Sequence, residues 1–348
     1  MTSSTGTANC SSVRSRTSAS VRARASRKSS SRRSAGAVLI VSPPSKSSNS
    51  GNTVTAQRYA RMFRELGWTC RIAPAYTGED VQCLVALHAR KSAQSVVAYR
   101  AAYPRGRIIL VLTGTDVYRD IRRSRLAHRA MEAADVLVTL QPEAMRELPP
   151  RLRKKARVIV QSAAQRRHAA RRDGVLRICV LGHLRAEKDP MRAAYAVRKL
   201  DRAIAAQVLH AGGILAPRYA GAVRDEMQRN PRYRYLGELP RAQALALLSR
   251  CDVLVQSSRM EGGANTVCEA LACGTPVLAS RIPGNTGILG RDYPGLYALG
   301  DSAGLARLIE RVATDGTFRA SLTRRCASLR PLTDPQRELQ AWRNILKS

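Results

Sequence analysis

Residues 257–280 read SSRMEGGANTVCEALACGTPVLAS, and the order strand end, Gly-rich loop, helix, turn and new strand within them decides the fold. Gly262 and Gly263 let the backbone approach a ligand closely and adopt conformations that a Cβ forbids. Asn265 and Thr266 suit the first helical positions, where backbone N–H groups have no intrahelical partner and form an anion site. Glu261 and Glu269 bracket the loop with seven residues between them. Glu269 falls about one turn into the helix, placed to accept two hydrogen bonds from a ribose diol. Gly274, Thr275 and Pro276 stop the helix and start Val277-Leu278-Ala279. The unit suits a nucleotide diphosphate, with ribose at Glu269 and a sugar hydroxyl at Glu261. Two acids at this spacing also occur on solvated helices; the surrounding order strand, EGG, helix, GTPV, strand favours a site.

Outward from this stretch, strands and helices alternate, the pattern of a doubly wound parallel sheet. Ala37–Val41 is a continuous apolar run, as a parallel strand covered on both faces requires. A helix is expected from about Val54 to Leu66, strands near Cys70–Ala75 and Val81–His88, a helix near Ser92–Tyr103 and a strand at Arg107–Thr113. Further elements are expected at Ser124–Ala133, Asp135–Leu140 and Arg157–Gln161. A second set follows from Arg177, with strands at Arg177–Leu181, Gln207–Ala211, Tyr233–Leu236 and Asp252–Gln256. The halves echo each other in ADVLVTL at 134–140 and CDVLVQS at 251–257. The expected organisation is a tail over 1–36, a Rossmann-like domain over 37–162, a basic linker over 163–175 and a second Rossmann-like domain over 176–330. A helix within 331–348 is expected to pack back on the first domain.

At 348 residues and 44% apolar content the chain is long enough for two ordinary α/β domains. Its formal charge of +34 points at polyanions, and part of it lies in residues 1–36, a Ser/Arg-rich run with no acid. Such a run cannot bury enough surface to fold and is expected to be a disordered, dispensable tail; it lacks the apolar segment of a secretory signal. Aromatic residues make up 4%, too few for the stacking platforms of a single-strand nucleic-acid binder, and no specific nucleic-acid partner is expected. The eight cysteines are scattered without C-x-x-C, which disfavours a disulfide framework or zinc site. No apolar run approaches the roughly 18–20 residues of a membrane span, and a cytoplasmic protein is expected.

The central stretch resembles the E-x7-E signature of retaining, nucleotide-sugar-dependent glycosyltransferases of the GT-B fold, in which two Rossmann-like domains face each other across a cleft. The resemblance implies a donor site in the C-terminal half. Lys188, in Gly182-His183-Leu184-Arg185-Ala186-Glu187-Lys188, stands where that family uses a lysine on the donor diphosphate. The family's arginine five residues earlier is His183 here, so either Arg185 supplies the charge or the diphosphate is held by one cation fewer. Gly51 and Asn52, between the first strand and its helix, are expected on the donor side; the loop is not G-x-G-x-x-G, so a nicotinamide site is disfavoured. His88 ends the third strand at a spot where related transferases place a histidine facing the donor sugar. Thr113-Gly114-Thr115-Asp116 resembles the family's H-G-T-D-like loop with Thr113 in place of histidine, and Asp116 is expected to orient His88 or bind a sugar hydroxyl. With no D-x-D motif, cations and helix amides are expected to replace a metal on the leaving diphosphate, and no cofactor is expected.

Several phrases match one branch more closely: N-x-G-N-T-x-T-A-Q-R-Y-A (49–60), V-A-L-H-A-R-K-S (85–92), L-T-G-T-D-V-Y-R-D-I (112–121), G-H-L-R-A-E-K-D-P (182–190) and S-R-M-E-G-G-A-N (258–265). They resemble the selenosugar synthases of selenoneine biosynthesis over about residues 37–315. That resemblance implies a UDP-sugar, chiefly UDP-N-acetylglucosamine, and selenophosphate as substrates. A small soft anion needs charge and positioning more than a general base. Arg90, Lys91, Thr115 and Arg119 are the residues expected to bind it, with Arg122 and Arg123 adding to a cationic wall.

Overall fold

The computed structural model describes residues 36–44, 51–169 and 173–347, which belong to one unit spanning Ser34–Ser348. The tail expected over 1–36, apart from Gly36, Ser50 of the first loop and the middle of the 163–175 linker lie outside these residues.

In the first half the elements run β1 (Ala37–Val41), α1 (Gly51–Glu65), β2 (Thr69–Ala73), β3 (Cys83–Leu87), α2 (Ala93–Ala102), β4 (Arg107–Leu112), a π-turn (Asp116–Asp120), α3 (Arg125–Ala133), β5 (Val136–Thr139) and β6 (Ala156–Val158). In the second they run β7 (Leu176–Leu181), α4 (Arg192–Val197), β8 (Ala206–Ala211), α5 (Arg218–Arg229), β9 (Tyr233–Tyr235), α6 (Arg241–Arg250), β10 (Val253–Gln256), α7 (Asn265–Cys273), β11 (Val277–Ser280), α8 (Pro283–Leu289) and β12 (Leu296–Tyr297). Three helices close the chain: α9 (Ser302–Thr314), α10 (Gly316–Leu329) and α11 (Pro335–Lys347).

The strands form two six-stranded parallel sheets, ordered β2-β1-β3-β4-β5-β6 and β12-β11-β10-β7-β8-β9. Leu39, Val41, Leu84 and Leu110 face one apolar cluster of the first sheet, while Val38, Ile40, Val85 and Val111 face another. This two-sided burial is why those strands are apolar without alternation. The repeated Ala/Cys-Asp-Val-Leu-Val phrase has a shared local cause. Asp135 Oδ2 accepts the Ile108 N–H at 2.7 Å, and Asp252 Oδ2 accepts the Arg177 N–H at 2.7 Å. In each half the aspartate before an inner strand anchors the start of its neighbour.

Helix α11 packs on the first sheet. Trp342, fully buried, lies with its ring centroid 4.6 Å from Tyr59 and 5.0 Å from Phe63, both edge-on. At its start the buried Glu338 pairs with Arg58 of α1 at 3.2 Å and accepts the Ser162 N–H at 2.7 Å. Ala163 N–H donates to the Thr333 carbonyl at 3.1 Å, so the passage out of the first sheet and the return into α11 run side by side.

Candidate active site

Each sheet reverses its strand order once, between β1 and β3 in the first and between β7 and β10 in the second. In open parallel sheets, ligands bind beyond the carboxyl ends of strands at such switch points. Here both switch points open on one cleft of about 310 Å³, within the range of small-molecule sites. Gly51, Asn52, His88, Lys91 and Thr115 line it from the first half; His183, Arg185, Lys188, Glu261 and Glu269 line it from the second.

The loop after β10 is built around Glu261. Its Oε1 accepts hydrogen bonds from Lys188 Nζ at 2.5 Å, Gln256 Nε2 at 2.7 Å and Ser258 Oγ at 2.5 Å. Gly284 packs behind it, where a Cβ would stand 2.2 Å from the Glu261 carbonyl oxygen. The glycines of the loop serve a second purpose besides approach to a ligand. A Cβ on Gly262 would stand 2.2 Å from the Thr113 carbonyl oxygen, so this glycine lets the two halves meet backbone to backbone at the cleft wall.

Asn265 and Thr266 open α7 and line the cleft, and Asn265 Oδ1 is buried with no hydrogen-bond partner. One turn on, Glu269 is 9% exposed and pairs with Arg241 at 2.8 Å. Burial raises its pKa, against the pull of Arg241. Arg241 opens α6 and lines the same cleft.

At the end of β7, His183 Nδ1 accepts the Gly213 N–H at 3.0 Å, so the histidine ties this loop to the one after β8. Arg185 lines the cleft beside it. Ser257 Oγ donates to the carbonyls of Lys188 and Asp189 at 3.1 and 3.0 Å, fixing the Lys188 turn to the β10 loop. Asp189 itself adopts a left-handed φ of 43°.

Across the cleft, His88 is buried at a left-handed φ of 73°. The Lys91 N–H faces its Nδ1 at 3.4 Å, which leaves the proton on Nε2 to donate to Thr115 Oγ1 at 3.0 Å. Burial holds its pKa below the usual imidazole value, with the Asp116 charge opposing. Asp116 makes no direct hydrogen bond to the His88 ring. It is fully buried, and its carboxyl oxygens accept the N–H groups of Ala89, Thr113 and Gly114 at 2.7–3.2 Å. It joins the loops after β3 and β4, and Thr115 takes the place beside His88. Asp120 Oδ2 lies 3.8 Å from His88 Nε2.

The cationic wall also differs from expectation. Arg90 and Arg119 both donate to Asp120, at 3.0 and 3.3 Å, and Arg119 reaches Glu187 of the second half at 3.7 Å. Arg122 pairs with Glu147 at 2.8 Å. None of the three lines the cleft; Lys91, Arg185 and Lys188 supply its positive side chains together with Arg241. Gln256, Ser258, Asp120 and Arg241 are not among the site residues expected from the sequence. Gln256 alone carried a signal, as the one polar residue of the buried strand VLVQ. No group of three His, Cys, Asp or Glu placed to hold a metal occurs among the described residues, and no helix among them is long and apolar enough to cross a membrane.

Residues 161–327, which contain Lys188, Glu261 and Glu269, match the family described as Glycosyl transferases group 1. The chain is 24% identical over 280 residues to glycosyltransferase 1 domain-containing protein 1 of Xenopus tropicalis, covering 71% of this chain and 80% of that protein. Among solved structures it is similar to HepE of Anabaena in complex with UDP-glucose, with a TM-score of 0.69, 14% identity, and coverage of 90% of this chain and 99% of the other. Sucrose-phosphate synthase of Thermosynechococcus elongatus gives a TM-score of 0.72, 16% identity, and coverage of 89% and 98%. The chain has the GT-B fold, and residues 161–327 match the glycosyl transferases group 1 family.

Proposed function

We propose that the chain transfers a hexosamine from UDP-N-acetylglucosamine to selenophosphate, giving a 1-selenosugar. The observation that carries the transferase reading is the cleft itself. It gathers Lys188, Glu261, Glu269 and the start of α7 from one sheet opposite His88, Lys91 and Thr115 from the other. The UDP-glucose bound to the similar HepE supports the donor class. The selenium acceptor rests on the five sequence phrases that resemble selenosugar synthases.

In this reading Glu269 accepts the ribose hydroxyls, while Lys188 and the N–H groups at Asn265 and Thr266 take the diphosphate. Gly51, Asn52, His183 and Arg185 complete the donor side. Glu261 and His88 face the transferred sugar. The selenium lone pair forms the bond to the anomeric carbon as the bond to the UDP oxygen breaks, and the charge left on UDP falls on Lys188. Water then cleaves the Se–P bond, releasing phosphate and the selenol. Selenophosphate needs no proton removed before attack, and a neutral His88 suits that. Lys91 and Thr115 are the groups that meet the acceptor. The positive charge of Lys188 and the dipole of α7 serve the leaving group, so turnover is expected in EDTA.

Coupled assays of UDP and phosphate release test the reading. Both products are expected in equal amounts, and only when both substrates are present. UDP release without phosphate, driven by a sugar, lipid or thiol acceptor, would keep the donor site and replace the acceptor.

A further inference from the structure

We propose that Gln256 and Ser258 are positioning residues that hold Glu261 against the donor sugar while Lys188 leaves it for the diphosphate. The inference rests on the donor reading above.

Lys188 is asked to do two things. In the structure its ammonium group sits 2.5 Å from Glu261 Oε1, yet the donor reading needs it on the diphosphate. If it were the sole partner of Glu261, donor binding would release that carboxylate as the sugar arrived. Gln256 and Ser258 prevent this. Both donate to the same Oε1, at 2.7 and 2.5 Å, and both are almost fully buried, at 3% and 1% exposure. Oε2 of Glu261 has no hydrogen bond among the described residues.

The two residues are themselves fixed from behind. Gln256 Nε2 also lies 3.1 Å from Ser258 Oγ. Ser280 Oγ donates to the Ser258 carbonyl at 2.6 Å, and Asn285 Nδ2 donates to the Ser280 carbonyl at 2.9 Å. Ser280 and Asn285 are fully buried. A row of neutral polar groups thus runs from the start of α8 to the carboxylate. Buried polar groups of this kind are costly unless satisfied, and satisfied they fix one geometry. Glu261 therefore stays aimed whether or not Lys188 is on it.

Calorimetric titration of UDP and of UDP-N-acetylglucosamine separates this role from a structural one. Gln256→Leu and Ser258→Ala are each expected to lower affinity for the UDP-sugar about tenfold, the size of one hydrogen bond to a charged group. Affinity for UDP alone is expected to stay within about twofold of the wild-type value, because Glu261 meets only the sugar. Ser258→Thr, which keeps the hydroxyl, is expected to recover most of the loss. In a Glu261→Gln background, Gln256→Leu is expected to add little further loss, since the two act as one unit. Equal losses for UDP and UDP-sugar, or losses that simply add to that of Glu261→Gln, would overturn the proposal. A wild-type protein that binds neither ligand would instead overturn the donor reading, and this proposal with it.

Discussion

Lys188 Nζ stands 2.5 Å from Glu261 Oε1, so the cation assigned to the donor diphosphate is paired with the carboxylate assigned to the donor sugar. The two come from loops 73 positions apart, at the ends of β7 and β10 on either side of the switch point of the second sheet. Lys188→Ala removes the charge proposed to meet the leaving UDP. Its turnover is expected to fall about 10²–10³-fold, as for loss of a single charge stabiliser. Steady-state kinetics check this, and a fall confined to KM would contradict it.

Glu269 lies buried against Arg241. Burial raises the pKa of its carboxyl and Arg241 lowers it again. Arg241→Ala removes the lowering partner, so the carboxyl protonates at higher pH than in the wild type. A protonated group accepts ribose hydroxyls poorly. UDP affinity is therefore expected to be lost at a higher pH as the solution is acidified, which titrations across the acid range would reveal. An unmoved acid limb would mean that Glu269 does not hold the ribose.

His210 is fully buried, with Nε2 facing the Gly182 carbonyl at 3.3 Å and Nδ1 facing the Tyr233 hydroxyl at 2.9 Å. Burial lowers its pKa to about 4, against about 6.5 in the unfolded chain. Between these values the unfolded chain binds more protons than the folded one. The stability contribution is thus complete above about pH 6.5 and is lost as pH falls toward about 4, amounting to about 3 kcal/mol. Urea denaturation at several pH values measures it. His210→Gln is expected to flatten the dependence over that interval.

Glu338 and Arg58 are both buried, and Glu338 also receives the Ser162 N–H. Glu338→Leu strands a buried guanidinium and is expected to cost about 3–5 kcal/mol in unfolding free energy. Pairing it with Arg58→Met removes the stranded charge and should restore much of that loss. A double-mutant cycle by chemical denaturation tests the coupling; simple additivity would contradict it.

Much of the fold was legible because parallel strands buried on both faces must be apolar throughout. Val38–Val41, Ile108–Leu112 and Val253–Val255 therefore stood out, and turn residues such as Gly274 marked where helices stop. The start of α7 at Asn265 was legible for the same local reasons. The partners were not. Asp120 follows Arg119 in an Arg-rich run, and nothing local shows that it gathers Arg90 and Arg119 and stands near His88. Asp116 read as a reactive acid because its loop ends a strand; only the fold shows its oxygens covered by backbone N–H groups. Arg241 follows a proline at the head of a helix and meets Glu269 only through tertiary packing. Periodicity reports burial, whereas a hydrogen-bond partner is chosen by three-dimensional contact.

The most direct measurement is a mass spectrum of the products formed from UDP-N-acetylglucosamine and selenophosphate in the presence of EDTA. A hexosamine carrying the selenium isotope pattern is expected, formed with release of UDP and strongly diminished with Lys188→Ala or Glu269→Ala. UDP release with selenium never joined to the sugar would contradict the selenosugar assignment, and no turnover or binding of any UDP-sugar would contradict the transferase itself.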